Sequence, residues 1–500
     1  MAKSSLPLLL SPLAVDFDSS LPLHRQLYDR LREAILAGQL VAGMRLPSTR
    51  TLASDLGVSR NTVLQAFDQL IAEGYVEGKH GAGTYVARVL PDELLAPRPI
   101  LERRIQAAPS PRRLSSQVDA LLNAPGIPNP IFTSNGPCRA FRVGLPAFDA
   151  FPLDIWTRLL VHQARALGPE NLNYQHPAGY GPLREAIAHY IADARGVRCT
   201  PEQVIIVNGS QQALDLAARV LLNPGDHVWI EDPCYLGARN ALLGAGARLV
   251  PVPVDGEGLD VVAGIERCAD ARLAFVTPSH QFPLGMTMSL PRRLALLEWA
   301  ADAGAWVLED DYDSEFRYDG RPLAALQGLD QAGRVIYLGT FSKVLFPGLR
   351  LGYLVVSPDL INAFLTMRCY TGFHAPVLEQ AVLADFISEG HFARHIRRMR
   401  RLYAERQAAL LTVAQEELYG LLDVRSCATG MHVLGWLPTE IDDQQAAHVA
   451  ARHNVDVWPL SLHCFEGHQP SALLLGYASV REAELPGSIN RLATALRALL

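Results

Sequence analysis

The chain has 500 residues, 49% of them apolar and 19% charged, with a formal net charge of −6. That is the composition of an ordinary globular protein, too long for one core, so two or three domains are expected. The slight negative balance excludes coating nucleic acid or membrane by bulk electrostatics, but not a local DNA-reading face. Seven cysteines without a C-x-x-C pair argue against a disulfide framework and against a zinc site, so no metal is expected. The N-terminal "SLPLLLSPLAV" is broken by Pro7 and Pro12, which is wrong for a signal peptide. No apolar run reaches the ~18 residues of a membrane span, and a cytoplasmic protein without membrane contact is expected.

Leu23, Leu27, Leu31 and Ile35 recur every fourth position and predict one helix over 22–37. Ser48 is placed to cap a second helix through Leu56, burying Leu52, Ala53 and Leu56. After the Gly57-Val58 turn, Ser59 is placed to cap a third helix to about Glu73, with Val63, Phe67, Leu70 and Ile71 inward and Arg60, Asn61 and Gln65 outward. Two short helices joined by a glycine turn form a helix-turn-helix. "GYVEGKHGAGTYV" adds two strand-like pieces around a Gly-rich turn, a wing with Lys79 and His80 at its tip. Residues 1–90 carry nine Lys/Arg against eight Asp/Glu, so affinity for DNA must come from placement of charge.

From Val89 to about Pro130 the periodicity fails and prolines recur, with arginine pairs at 103–104 and 112–113. Such a stretch builds no core and reads as a semi-rigid spacer in which "ILERRIQ" forms at most a helical turn or two.

Past residue 150, apolar runs such as "VIIV", "HVWIED", "LAFV", "WVLEDD" and "VIYLG" alternate with amphipathic helical segments. That order predicts an α/β domain with a mostly parallel sheet, whose ligands gather at the carboxyl ends of strands. Gly209, Ser210 and Gln211 follow one strand and open a helix, an anion site by its free amides and dipole. Asp310 sits among acids at another strand end, and Tyr235 lies beyond a third, where a ring would stack on a flat ligand. In "GTFSKVLFPGLRLGY", Thr340, Ser342 and Arg350 surround Lys343, one of only three lysines among 45 basic residues. Arginine serves for salt bridges, whereas a lysine amine forms a Schiff base. An amine, a phosphate cup, a guanidinium, a carboxylate and an aromatic ring together are what pyridoxal 5′-phosphate requires.

"GMRLPSTRTLASDLGVSRNTVLQAFDQLIAEGYVEGKHGAGTYV" resembles the winged helix-turn-helix of GntR-type bacterial regulators nearly end to end. The resemblance implies contacts to double-stranded operator DNA from Arg45, Ser48, Arg50, Ser59, Arg60, Asn61, Thr62 and Gln65, and from Lys79, His80 and Gly81 of the wing. The order of motifs over about 140–500 resembles fold-type I, class I aminotransferases, which implies a smaller C-terminal α+β part beside the main sheet. It further implies Lys343 as the Schiff-base lysine, Asp310 at the cofactor's ring nitrogen, Tyr312 at its phenolic oxygen and Tyr235 stacked on its ring. Ser210, Gln211, Thr340, Ser342 and Arg350 would hold the phosphate, and Tyr174 would reach the phosphate of a neighbouring subunit.

Arg350 follows the lysine by seven residues where the class I pattern has eight, and "TPSHQFPLG" lacks the usual asparagine, leaving His280 or Gln281 as substitutes. Both departures are similar to the MocR subgroup of GntR-type regulators. The expected organisation is a DNA-binding domain at 12–88, a spacer at 89–130 and an aminotransferase-like domain at 131–500, paired into a homodimer with exchanged DNA-binding domains. Three functions fit: a regulator sensing pyridoxal phosphate or a small amino compound, a working aminotransferase with an accessory domain, or a DNA-binding protein that merely dimerises through its second domain. The set of cofactor residues disfavours the last. The second needs a late carboxylate-binding arginine, and "SALLLGYAS" has none before Arg481. The regulator is therefore expected, with sensing of the cofactor itself slightly favoured.

Overall fold

The computed structural model of the chain describes residues 15–79, 83–90, 115–124, 139–318, 323–465 and 470–500. His80, Gly81, the "ILERRIQ" segment and the side chain of Lys79 lie outside the described residues. The chain divides into two compact units, Met1–Arg113 and Leu114–Leu500.

In the first unit, helices Leu23–Leu36, Thr49–Leu56 and Arg60–Ala72 precede an antiparallel hairpin of β1 (Val76–Lys79) and β2 (Gly83–Val86). Leu27, Leu31, Ile35, Leu52, Val63, Phe67 and Leu70 meet in its core with Val76 and Val86. Ile71, expected inside, is 43% exposed, and Ala66 is buried instead. At ~100° per residue, position 71 lies about 90° from the middle of the 63/66/67/70 stripe. Ser48 accepts from the Thr51 amide at 3.2 Å and Ser59 from the Thr62 amide at 3.1 Å, so both serines cap helices. Gly57 closes the second helix at φ 65°, a left-handed conformation that glycine adopts without steric cost.

In the second unit, an eight-stranded sheet runs in the order β3-β10-β9-β8-β7-β4-β5-β6. Its strands are β3 (Val204–Val207), β4 (His227–Asp232), β5 (Arg248–Asp255), β6 (Gly258–Leu259), β7 (Leu273–Val276), β8 (Trp306–Asp311), β9 (Val335–Thr340) and β10 (Gly352–Val355). Strand β10 is antiparallel to both neighbours and β6 to β5, while the pairings among β9, β8, β7, β4 and β5 are parallel. Side chains alternate between two apolar layers, so the strands read as unbroken apolar runs. Val204 and Ile206 pack into one layer with helix Gly181–Arg195, whereas Ile205 and Val207 join the other with helix Ser210–Leu221.

A second, four-stranded antiparallel sheet, in the order β11-β12-β14-β13, consists of β11 (Asp423–Val424), β12 (His432–Trp436), β13 (Trp458–Pro459) and β14 (Ala472–Gly476). Helices Asp443–Arg452, Leu485–Arg497 and the 27-residue His391–Glu417 contribute to the apolar layer packed with it. Helix Ser116–Asn123 falls within the stretch read as spacer. Capped by Ser115, it brings Leu121 against Gly244, where an added Cβ would lie 3.3 Å from the leucine. No helix among the described residues is long and apolar enough to cross a membrane.

Replacing Ser59 by Ala should destabilise the first unit by about 1 kcal/mol, because the Thr62 amide loses its cap. Ser59→Asn should restore it. Urea unfolding followed by helical circular dichroism measures both.

Candidate functional site

The residues expected to meet DNA gather around the start of helix Arg60–Ala72, which has no acidic side chain in its first turn. Arg45, Ser48, Arg50, Ser59, Arg60, Asn61 and Gln65 are exposed and Thr62 is half-buried. The Arg60 Nε reaches Thr49 Oγ1 at 3.5 Å, tying this helix's start to that of its predecessor. The guanidinium of Arg45 lies over Gly83 of the wing, 3.0 Å from where a Cβ would stand. Arg45 itself bridges to Tyr85, so an exposed arginine is fixed beside the hairpin.

In the second unit a cavity of about 940 Å³ opens at the carboxyl edge of the large sheet. Strands β3, β4, β7, β8 and β9 all end there, because β10 reverses direction between β3 and β9. Ser210, Gln211, Tyr235, Asp310, Tyr312, Thr340, Ser342, Lys343 and Arg350 all line it.

Three of the four acids in "EDDYD" are sorted by strand alternation. The Glu309 carboxylate accepts from the Leu326 and Gln327 amides at 2.7 and 2.9 Å. Asp311 pairs with Arg195 at 2.7 Å. Asp310, between them, faces the cavity with Oδ1 buried and unpartnered. Burial, and then the charge of Asp311, push its carboxyl up to about 8. The fourth acid, Asp313, lies 2.9 Å from His280 Nδ1.

The Lys343 amine donates to the Gly144 carbonyl at 3.1 Å. Gly144 has φ 77°, a conformation that favours glycine, and a Cβ there would come 2.4 Å from Nζ and require the lysine tip to shift. Burial holds the amine below the usual lysine range, while Asp313 and Asp310 act against that. A desolvated amine is neutral more often, and the neutral amine is the nucleophile.

The residues expected to hold a phosphate are arranged as closely. Gly209 at φ 85° starts helix Ser210–Leu221 with no side-chain cap, leaving its first amides free. Arg350, in the left-handed region at φ 52°, donates to the Asn208 carbonyl at 3.0 Å and lies across Gly209. Thr340 Oγ1 accepts from the Ser342 amide at 3.2 Å, and the buried Ser342 hydroxyl has no partner. Tyr235 folds over Gly237, where a Cβ would lie 2.4 Å from its ring, and meets Phe282 edge-on. An orphaned carboxylate, an orphaned hydroxyl, free helix amides and a poised lysine fit pyridoxal phosphate.

His280 and Gln281 are not lining residues. The His280 Nδ1 sits 2.9 Å from the Tyr312 hydroxyl, and Gln281 donates to the Pro233 carbonyl at 2.8 Å and to Glu231 at 3.2 Å. Thr277, from the same segment, does line the cavity. Tyr174 is 81% exposed and packs edge-on against Phe373, away from the lining residues. Sequence reasoning missed Gly144, Phe282, Asp313, His432 and Trp458. A glycine in "RVGLP" and aromatics of the small sheet carry no motif until the chain folds. It also missed Arg142, a second guanidinium in the lining, 3.6 Å from Asp456.

Comparison with known proteins agrees with both halves. Residues 23–86 match the family of bacterial regulatory proteins named gntR, and residues 147–492 match aminotransferase class I and II. A probable rhizopine catabolism regulatory protein, MocR, of Rhizobium meliloti is 44% identical over 97% of this chain and 96% of its own length. The pyridoxine biosynthesis transcriptional regulator PdxR of Corynebacterium glutamicum is 33% identical over 85% of each chain. Among solved structures, Pyrococcus horikoshii kynurenine aminotransferase superposes with a TM-score of 0.68 at 30% identity, covering 79% of this chain and 98% of that one.

Fold and site thus define a DNA-binding transcription regulator built on an aminotransferase-like domain. The chain belongs to the gntR family of bacterial regulatory proteins, in the branch that carries an aminotransferase class I and II domain.

Asp310 generates a test. Its folded value lies above its unfolded one, so its contribution to stability is full below about pH 4 and is lost as the pH rises toward about 8. Cofactor-free protein should therefore lose stability from pH 5 to 8 more steeply than Asp310→Asn, by about 1.4 kcal/mol per pKa unit at most. Chemical denaturation at several pH values measures the difference.

Proposed function

We propose that the second unit holds pyridoxal phosphate on Lys343 and senses a small amino compound, whose arrival changes the first unit's hold on operator DNA. The observation that carries this is the buried, unpartnered Asp310 oxygen facing the same cavity as Lys343. When bound, the cofactor supplies an aldehyde that amines condense with and a ring that withdraws electrons. Asp310 would hold the ring nitrogen's proton, and Tyr312, held protonated by burial, would donate toward the phenolic oxygen. Ser210, Gln211, Thr340, Ser342 and Arg350 would hold the phosphate, with Tyr235 against the ring. Tyr174 would act in a homodimer at the partner's site.

An amino compound is favoured over the cofactor alone as the signal. The cavity is also lined by Phe148, Leu153, Trp156, Met431, His432 and Trp458, to which no part of the cofactor is assigned. The relative acting in rhizopine catabolism supports this reading, and the pyridoxine biosynthesis regulator supports the other. One experiment separates them: titrate a selected operator fragment and record the visible spectrum on the same sample. Wild-type protein should keep a cofactor band after desalting and change operator affinity when amines are added. Lys343→Ala should lose both the covalently held band and the amine response. Arg60→Ala should lose about 1–3 kcal/mol of DNA affinity with the band unchanged. Affinity that follows cofactor loading and ignores every amine would establish the cofactor as the signal.

Turnover is a separate matter. Strand β14, where a late arginine was sought, offers Leu474 to an apolar cluster with Val143, Phe282 and Trp458. Arg481 is exposed and near Asp149, at 3.9 Å, and Arg142 is engaged by Asp456. A substrate carboxylate would have to displace Asp456 to gain a clamp, so the α-proton is poorly oriented. Steady-state transamination of common α-amino acids should run at least tenfold below the roughly 10 per second of a typical enzyme. Coupled assay of the keto-acid product checks it.

A further inference from the structure

Behind Tyr312 and Asp313, which line the cavity, lie His280 and Cys427, which neither the cavity lining nor the DNA face includes. Asp313 Oδ1 is 2.9 Å from His280 Nδ1, the Tyr312 hydroxyl is 2.9 Å from the same nitrogen, and Cys427 Sγ is 3.8 Å from Nε2. His280 and Asp313 are fully buried, whereas Cys427 is partly exposed. The geometry is enforced: a Cβ on Gly430 would come 2.0 Å from the imidazole Cε1, and one on Gly285 would come 3.1 Å from Cys427 Sγ. Sulfur also has Thr429 Oγ1 at 3.9 Å and the Gly285 carbonyl at 3.7 Å.

Burial disfavours a charged His280, but Asp313 outweighs it and pushes the imidazole up to about 10. Burial likewise disfavours the thiolate, but the hydrogen bond and charge of His280 hold Cys427 below the usual thiol range. Cys199, Cys234, Cys268 and Cys464 are all pushed upward by burial. A thiolate beside an imidazolium is the arrangement that makes a cysteine reactive.

We propose that Cys427 is a modification site for hydroperoxides, and that His280 and Tyr312 carry its oxidation to the edge of the cavity. The thiolate sulfur attacks one peroxide oxygen. An S–O bond forms as the O–O bond breaks, and the departing hydroxide takes the His280 proton and leaves as water. Sulfur gives up two electrons and becomes a sulfenic acid, while the peroxide is reduced. The imidazolium that faces the Tyr312 oxygen thereby loses its thiolate partner, and the added oxygen must fit beside Gly285 and Gly430, where even a Cβ would meet Cys427 or His280. The relay to the cavity rests on the cofactor reading above, but the modification site does not.

Full-length protein is treated with substoichiometric hydrogen peroxide, sulfenic acid is trapped with dimedone, and labelled peptides are identified by mass spectrometry. Label on Cys427 should exceed that on each other cysteine at least tenfold, and His280→Asn should remove most of that excess. Equal labelling of the cysteines, or a rate at Cys427 unchanged in His280→Asn, would overturn the site. In cofactor-loaded protein the same treatment should shift the visible band, and Tyr312→Phe should abolish the shift while Cys427 still labels. Labelling without a shift in wild type would overturn the relay and leave the site. A protein with no visible band before treatment would refute the cofactor reading, and the labelling would then decide the site by itself.

Discussion

The second unit is organised around one electrostatic constraint: an amine and an unpaired carboxyl are buried at the same edge of a sheet. The Lys343 amine is held there by the carbonyl of Gly144, 199 residues earlier, whose missing side chain leaves the amine room. Asp310 stays unpaired because strand alternation sends Glu309 to the Leu326 and Gln327 amides and Asp311 to Arg195. Left alone, each group is costly to bury in its charged form, so burial shifts both toward neutrality. A site that disfavours charge on its own lysine and carboxyl suits a ligand that offers partners to both. That is a stronger argument for a cofactor than any single motif.

The helix-turn-helix was legible because its signals are local. Heptad-like spacing, two serine caps and a left-handed glycine each act within four residues, and the helix bounds followed from them. Ile71 misled because a helix's last turn rotates an apolar residue off the buried stripe without changing the spacing pattern. Lys343 stood out by rarity and context, and the structure places it in the cavity lining. What failed was everything whose partner is distant in sequence. His280 was offered for the cofactor's oxygen, yet it lies behind Tyr312, because Asp313 and Cys427, 33 and 147 residues away, draw the imidazole between them. The proline-rich stretch hid helix Ser116–Asn123 for a related reason: eight residues show too little periodicity, and Leu121 matters only once Gly244 is beside it.

The same distribution explains why the site suits sensing. Its chemical groups come from the large sheet, but the wall opposite is built by the small one. Phe282 joins Leu434, Trp458 and Leu474 in one apolar cluster, with Val143 from the segment that carries Gly144. A ligand whose amine engages Lys343 therefore presses its remainder against residues of two sheets at once. Signalling requires that a ligand bind two arrangements of the protein unequally. An enzyme would add a fixed guanidinium to hold the substrate in one pose. The guanidiniums that line this cavity are those of Arg142, 3.6 Å from Asp456, and Arg350, which donates to the Asn208 carbonyl. A ligand held without a dedicated clamp keeps more freedom of pose, which costs a catalyst more than it costs a regulator that need only bind.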